Sequence, residues 1–284
     1  MTLSEAAQRL LNAPLEQRLA HVRRRRRIEY AAASVFMARV QDLHQHQYEH
    51  RSLCLALTGE QWHGKTTLLD WVHDRALRGS SHGIASLRVD VSSQWNLVSL
   101  YNKCLAGLGA PVSPKGDPDR KFETLIRLLK QKRTNLIIID EFHDVRRCQP
   151  RQLPIILSGV RALCNIAGVT VILSGLPEVA DILRNDPQLS SRFERHTLIR
   201  WKEGPEFYSF LTTLLKDFPL PEESELLNPD SDLASRLLQL GQYRLGAFSV
   251  ILCEAACRAL RDERPSVTAD DIQAAATAFW SGTA

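Results

Sequence analysis

Apolar positions along the chain follow two regimes. Between residues 53 and 201, short continuous apolar runs alternate with stretches of helical spacing; beyond residue 201 the runs cease and only helical spacing is left. The runs are Leu53–Leu57, Ile84–Val91, which reads as a strand although Ser86, Arg88 and Asp90 interrupt it, Asn135–Ile139 and Val169–Leu173. A run such as Leu136-Ile137-Ile138-Ile139, with no polar alternation, predicts a strand covered on both faces, as inner strands of parallel sheets are. Helices are predicted from Thr67, over Asn96–Leu108, around Phe122, Leu125, Ile126 and Leu129 at i, i+3, i+4 and i+7, and over Leu153–Ala167. Pro111–Pro118 has the prolines and glycine of a loop. Strands alternating with helices give an α/β class with a parallel-sheet core, expected over residues 29–201.

The flanks read as helical. In the N-terminal extension, residues 1–28, the apolar positions Ala7, Leu10, Leu11, Leu15, Leu19 and Val22 have near-helical spacing, with Pro14 marking a break or a second start. Arg23–Arg27 follows, and five successive charges on a helix point all round its axis and leave no stripe to bury. That stretch is expected to be exposed, as a solvated connector or as a contact to DNA phosphate. Ile28–Gln47 resumes the helical pattern. The C-terminal part, residues 202–284, is expected to be a small all-helical domain. Its pattern includes Phe207, Phe210, Leu211, Leu214, Leu215 and Phe218 on one face, and Thr268-Ala269-Asp270-Asp271 as a capping-box-like start to the last helix.

Composition narrows the picture little. With 284 residues and 44% hydrophobic, ordinary cores can form, and a net charge of +4 at pI near 8.8 permits contact with nucleic acid without requiring it. No apolar run approaches the roughly 20 residues of a membrane helix and the first residues are polar, so a soluble, cytoplasmic protein with no membrane partner is expected. Cys54, Cys104, Cys148, Cys164, Cys253 and Cys257 lack zinc spacing and are expected to be buried, reduced thiols.

Chemistry concentrates after the first run. Gly59-Glu60-Gln61-Trp62-His63-Gly64-Lys65-Thr66 has the G-x-x-x-x-G-K-[ST] pattern between a predicted strand and a predicted helix opening at Thr67. Backbone N–H groups of such a loop and of the helix N-terminus surround a polyphosphate, a lysine neutralises its outer phosphates, and the Thr66 hydroxyl is expected to ligate Mg²⁺. ATP and Mg²⁺ are therefore the expected cofactors. The third run ends in Asp140-Glu141, with Asp140 expected in the Mg²⁺ coordination sphere and Glu141 expected to polarise the attacking water. Ser174 ends the fourth run, where a polar group could orient the γ-phosphate or the water, or simply make a turn. Arg192, and after it Arg195, could reach a neighbouring subunit's γ-phosphate, or could pair with Asp186 or Glu194. A P-loop kinase or phosphotransferase and a non-hydrolysing nucleotide-gated adaptor remain open alternatives to an ATPase.

The order Gly59 to Thr66, Ile137 to Glu141, Ser174, Ser191-Arg192-Phe193 and then helices resembles AAA+ ATPases, an α/β P-loop core with a helical lid, over about residues 30–280. More narrowly, Leu136–His143, Gly175-Leu176-Pro177-Glu178 and Asp186–Glu194 resemble the TniB/TnsC group of transposition regulators, in which I-D-E-x-H and D-x-Q-L-x-S-R-F-E recur. The resemblance implies an ATP-loaded homo-oligomer, a ring or helical filament on duplex DNA, that links a target-selection protein to a transposase and disassembles on hydrolysis. It implies Arg192 as a finger acting in trans, and Gly241-Gln242-Tyr243-Arg244 is similar to sensor-two turns, making Arg244 a nucleotide contact. Where the group often has Gly-Thr before Pro-Glu, this chain has Gly175-Leu176, which leaves the sensor role to Ser174. By the same resemblance Lys103, Lys115, Arg120 and Lys121, with Arg146, Arg147 and Arg151 further on, are candidate DNA contacts.

Overall fold

The computed structural model describes residues 2–45, 53–79, 86–90, 96–228 and 230–282. The Ser4 side chain accepts from the Ala7 N–H and starts α1 (Glu5–Leu10); Pro14 precedes α2 (Leu15–Arg23), and α3 (Ala31–Gln45) leads toward the first strand. The four apolar runs become β1 (Cys54–Thr58), β2 (Ser86–Asp90), β3 (Leu136–Asp140) and β4 (Thr170–Gly175). Ile84, Ala85 and Val91, assigned to the second run, and the end of the helix expected to reach Gln47 lie outside the described residues. Between and after the strands come α4 (Lys65–Gly79), α5 (Leu97–Gly107), α6 (Pro118–Gln131), α7 (Gln152–Asn165), α8 (Glu178–Arg184) and α9 (Pro187–Ser190).

A fifth strand, β5 (Phe193–Thr197), has no counterpart in the apolar pattern. It pairs with β1 alone, and only Phe193 is fully buried along it while Glu194, Arg195 and Thr197 are exposed. A strand bonded on one side needs no continuous apolar run. Every pairing is parallel and the strand order is β2-β3-β4-β1-β5, so β4 separates β1 from β3. Cys54, Ala56, Ile137, Ile139, Val171 and Leu173 share one core with residues of α5, α6 and α7, including Leu100, Leu125 and Val160.

The chain divides into two compact units, residues 32–61 with 65–198, which hold the sheet, and residues 1–31 with 62–64 and 199–284, which are helical. The helical unit contains α10 (Pro205–Leu215), α11 (Leu233–Leu240), α12 (Leu245–Arg261) and α13 (Ala269–Ser281). Phe207, Phe210 and Phe248 of its core pack against the half-buried Trp201, with ring centroids 6.5, 5.2 and 5.7 Å from the indole. Val22 of α2 is buried in this same core.

The arginine run is exposed as expected at Arg23, Arg24, Arg25 and Arg27, and only Arg26 is half-buried, but the run is also held to the helical unit by ion pairs. α2 ends at Arg23, and Arg24 is extended (φ −61°, ψ 146°), so alternate residues rather than all-round positions share a side. The Arg24 Nη2 and Arg26 Nε donate to Asp217 Oδ2 at 2.6 and 2.7 Å, and the Ser4 hydroxyl donates to Oδ1 at 2.9 Å. Arg26 also lies over the Phe218 ring at 5.2 Å, its side chain only 10% exposed, and Arg23 donates to Glu254 at 3.2 Å. Burial alone would raise the Asp217 carboxyl, yet the bonds from Arg24, Arg26 and Ser4 hold it below the usual carboxylate range. The run is thus a strap that fastens the N-terminal helices to the C-terminal ones.

A candidate nucleotide site at the ends of three strands

β1 delivers the chain to the glycine loop and α4 takes it away. Lys65, 7% exposed, donates through Nζ to the carbonyls of Gly59 and Glu60 at 2.8 Å each. Burial lowers its pKa, against the pull of Glu141 and Asp140. Gly59 N–H bonds to Gly175 O at 3.2 Å, joining the loop's start to the end of β4. Gly64 has φ +88°, a left-handed conformation that favours glycine, and a Cβ there would meet Leu245 Cδ2 at 3.2 Å. The tip, residues 62–64, groups with the helical unit: Gly246 N–H donates to Trp62 O at 2.6 Å, and the Trp62 ring meets Phe279 edge-on at 4.9 Å.

Thr66 opens α4 with its hydroxyl donating to Asp140 Oδ2 at 3.3 Å. Asp140, at the end of β3 and 2% exposed, takes the Glu141 N–H on Oδ1 at 2.9 Å. Sequence reasoning missed a third partner, Arg88 of β2, whose Nη2 donates to the same Oδ2 at 3.0 Å while its Nη1 bonds Asp70. β2 pairs with β3 and sets Asp90 opposite Asp140, so Arg88, two residues back, is on the Asp140 side of the sheet. Its signal was an arginine alternating with apolar residues in Ser86-Leu87-Arg88-Val89-Asp90, on the same side as the acid Asp90. Glu141 sits in a left-handed conformation (φ 54°, ψ 33°) that opens a 3₁₀ turn, Phe142–Arg147. Burial first, and then Asp140, raise its carboxyl above the ordinary range in spite of His143 and Lys65.

Strand order brings Ser174 between these groups. Its neighbour on β1 is Leu57, and Leu173 pairs with Ile139, so Ser174 follows beside Asp140 with the same alternation. Ser174 is fully buried and its Oγ has no hydrogen-bond partner among the described residues. Natural cores rarely leave a hydroxyl so placed without a role.

Arg192 lies elsewhere. Its carbonyl accepts from Cys54 N–H at 3.0 Å and its charge acts on the thiols of Cys54 and Cys164, which puts it at the starting ends of β1 and β5. The loop Gly59–Gly64 leaves the other end of β1. Asp186 is taken by Arg161 at 3.5 Å, Glu194 by Arg39 at 2.8 Å and by His196 at 2.9 Å, and Arg195 donates to Ser190 Oγ at 2.8 Å. In the helical unit, Arg244 is the N-cap residue of α12, behind Gln242 and Tyr243, which both have positive φ (52° and 61°). Tyr30, just before α3, has its hydroxyl 3.9 Å from where a Gly64 Cβ would stand. Burial, then Glu206, pushes its phenol up to about 12.

The basic candidates scatter. Lys103 Nζ bonds the Asp90 carbonyl, Lys121 Nζ bonds Asn102 and Ser113 O at 2.8 and 2.9 Å, Arg146 faces Asp181 at 3.8 Å and Arg147 faces Asp144 at 3.2 Å. Lys115, Arg120 and Arg151 are exposed. The cysteines are free thiols; Cys54, Cys104, Cys164 and Cys257 are buried, whereas Cys148 and Cys253, expected to be buried too, are only half-buried. Among the described residues no helix is long and apolar enough to cross a membrane, and no three His, Cys, Asp or Glu side chains cluster as a metal site. One hydroxyl and one carboxylate suit a cation such as Mg²⁺, which takes few protein ligands and the rest from phosphate and water.

Strand order, glycine loop, paired acids and helical unit together define an AAA+ P-loop protein. Solved structures agree on the fold. The Aeropyrum pernix ORC2 protein in ADPNP and ADP complexes superposes with TM-score 0.62 at 18% identity, over 87% of this chain and 66% of that one. The Aeropyrum pernix ORC1 protein in complex with DNA gives 0.64 at 15%, over 95% and 69%, and Drosophila ORC bound to DNA gives 0.58 at 14%, over 92% and 64%. This chain thus spans about two thirds of the length of those proteins. No curated protein matches it in sequence. The family model described as "Bacterial TniB protein" matches residues 18–203, and the chain belongs to that family.

Proposed function

We propose that this protein is an ATP-dependent, DNA-binding regulator of transposition that assembles into a homo-oligomer on duplex DNA, with ATP hydrolysis driving disassembly. Membership of the TniB family supports the link to a transposase and a target-selection protein. The DNA complexes among its structural neighbours are in keeping with duplex DNA as the surface of assembly.

The observation that carries the oligomer is the separation of Arg192 from the glycine loop. The two lie at opposite ends of β1, whose five residues span about 17 Å at roughly 3.3 Å each. An arginine side chain is too short to cover that distance, so a phosphate-sensing role for Arg192 requires a neighbouring subunit's nucleotide. In each site Lys65 and the loop amides, with Glu60–His63 and Thr67 around them, would bind the triphosphate, and Thr66 and Asp140 would hold the cation. Mg²⁺ supplies charge neutralisation on the phosphate oxygens. Glu141 takes a proton from the water that attacks the γ-phosphorus, and Ser174 binds the phosphates from β4; Arg244, in the helical unit, remains a candidate nucleotide contact. Lys103, Lys115, Arg120, Lys121, Arg146 and Arg147 remain candidates for sequence-independent phosphate contact.

The test is sedimentation with plain duplex DNA in the presence of an ATP analogue, ADP or no nucleotide. Large DNA-bound assemblies with the analogue only, lost in Arg192→Ala, are the expected result. A protein that stays monomeric and off DNA in all three states overturns the reading.

A further inference from the structure

The histidine of the Asp-Glu-Phe-His segment has no role in the account above, and its surroundings are specific. His143 Nδ1 lies 3.2 Å from Glu141 Oε2, and it is also 3.4 Å from the Leu176 N–H just beyond β4. The ring is packed into the end of that strand. A Cβ on Gly175 would stand 2.9 Å from Nδ1 and 3.1 Å from the His143 backbone nitrogen, so only glycine leaves the ring this place. The His143 side chain is 18% exposed, against 41% for that of Glu141. The better-held partner is therefore the histidine.

One ring nitrogen carries either a hydrogen or a lone pair. Donating to Glu141 and accepting from Leu176 are consequently exclusive, and the neutral ring chooses between them by tautomer. With the hydrogen on Nδ1 the carboxylate gains a fixed donor on Oε2 and keeps Oε1 free to take a proton. With the hydrogen on Nε2 the ring is bonded to the β4 end and releases Glu141.

We infer that His143 is the positioning residue for Glu141, orienting its carboxylate through Nδ1–H and making that orientation depend on the end of β4. The inference rests on the proposed ATPase reading and adds a residue to it. The need for such a donor is physical: the Glu141 side chain is 41% exposed, and holding it in one rotamer costs conformational entropy that a fixed hydrogen-bond donor offsets. The Ser174–Leu176 segment ends the strand whose buried hydroxyl lies beside Asp140. A shift of that segment alters the competing Leu176 contact, which links the far end of β4 to the base.

The experiment compares His143→Ala, His143→Gln and His143→Asn with Glu141→Gln in the full chain, measuring steady-state ATP turnover on DNA and the affinity for a fluorescent ATP analogue. An asparagine amide reaches the position of Nδ1, whereas a glutamine amide reaches that of Nε2. Expected are a fall in kcat of about tenfold or more in the Ala and Gln variants, nucleotide affinity within about twofold of the parent, and kcat largely recovered in the Asn variant. Parent-like kcat in His143→Ala overturns the inference, as does an Asn variant as impaired as Ala or a loss of affinity matching the loss of kcat, either of which makes the ring merely structural. Glu141→Gln separates the two levels. If that variant turns over like the parent, or if the parent shows no turnover, the ATPase reading itself fails and His143 with it; if only Glu141→Gln is dead, the histidine alone is excluded.

Discussion

Arg88 Nη2 donates to Asp140 Oδ2 at 3.0 Å, the same oxygen that the Thr66 hydroxyl reaches at 3.3 Å. The guanidinium supplies the positive charge beside a carboxylate that is only 3% exposed. Truncating it removes the guanidinium hydrogen bond to Asp140, a cost of about 1–3 kcal/mol for a buried charged bond. Arg88→Ala is expected to melt earlier than the parent without ligand and to gain more in Tm from Mg·ATP, because a bound cation then restores the charge. Equal gains in the two proteins would show that Arg88 and the cation do not share Asp140.

Ser174 separates function from stability. Its hydroxyl is buried and makes no bond among the described residues, so the folded state already bears the desolvation cost. Ser174→Ala should therefore melt at the parental temperature or slightly above, by up to about 1 kcal/mol. Turnover should fall at the same time. A variant that is destabilised and fully active would place the hydroxyl in the fold rather than in the site.

The arrangement of Arg192 predicts complementation. Arg192→Ala and Glu141→Gln should each be inactive alone. Mixed in equal amounts they should regain roughly a quarter of parental turnover, the statistical share of interfaces that join an intact Glu141 to a neighbour's intact Arg192. Additive, near-zero activity in the mixture would show that both residues serve one subunit's site.

Asp217 gives the strap a pH signature. Its folded-state pKa is depressed, so its contribution is present above the unfolded value, about 3.9, and is lost as pH falls through the lower folded value. Tm of the parent should drop as pH is lowered below about 4, and Asp217→Asn should remove that part of the dependence. At neutral pH the variant should be less stable by about 1–3 kcal/mol, since Arg24 and Arg26 lose their shared acceptor. Hydrogen exchange in α1 and α2 should rise most.

The chain by itself determined the inner strands, the glycine loop, the Asp-Glu pair and the helical C-terminal part. These signals are local: a strand buried on both faces must be apolar throughout, as Leu136–Ile139 is, and a loop that turns at Gly64 with positive φ must carry glycine there. What only the tertiary structure decided are lateral and long-range relations. No local pattern says that β4 lies between β1 and β3, which alone brings Ser174 beside Asp140, or that an edge strand as polar as Phe193–Thr197 completes the sheet. Arg88 meets Asp140 through the register of β2 on β3, and His143 reaches Glu141 from its place against Gly175. The arginine run is as exposed as its charges require except at Arg26, but its partner was not legible: alternate side chains of an extended segment can converge on one carboxylate more than 190 residues away, as the 191-residue separation of Arg26 and Asp217 shows. Sequence pattern reports what each segment must bury; which segments meet is settled by crossovers and packing.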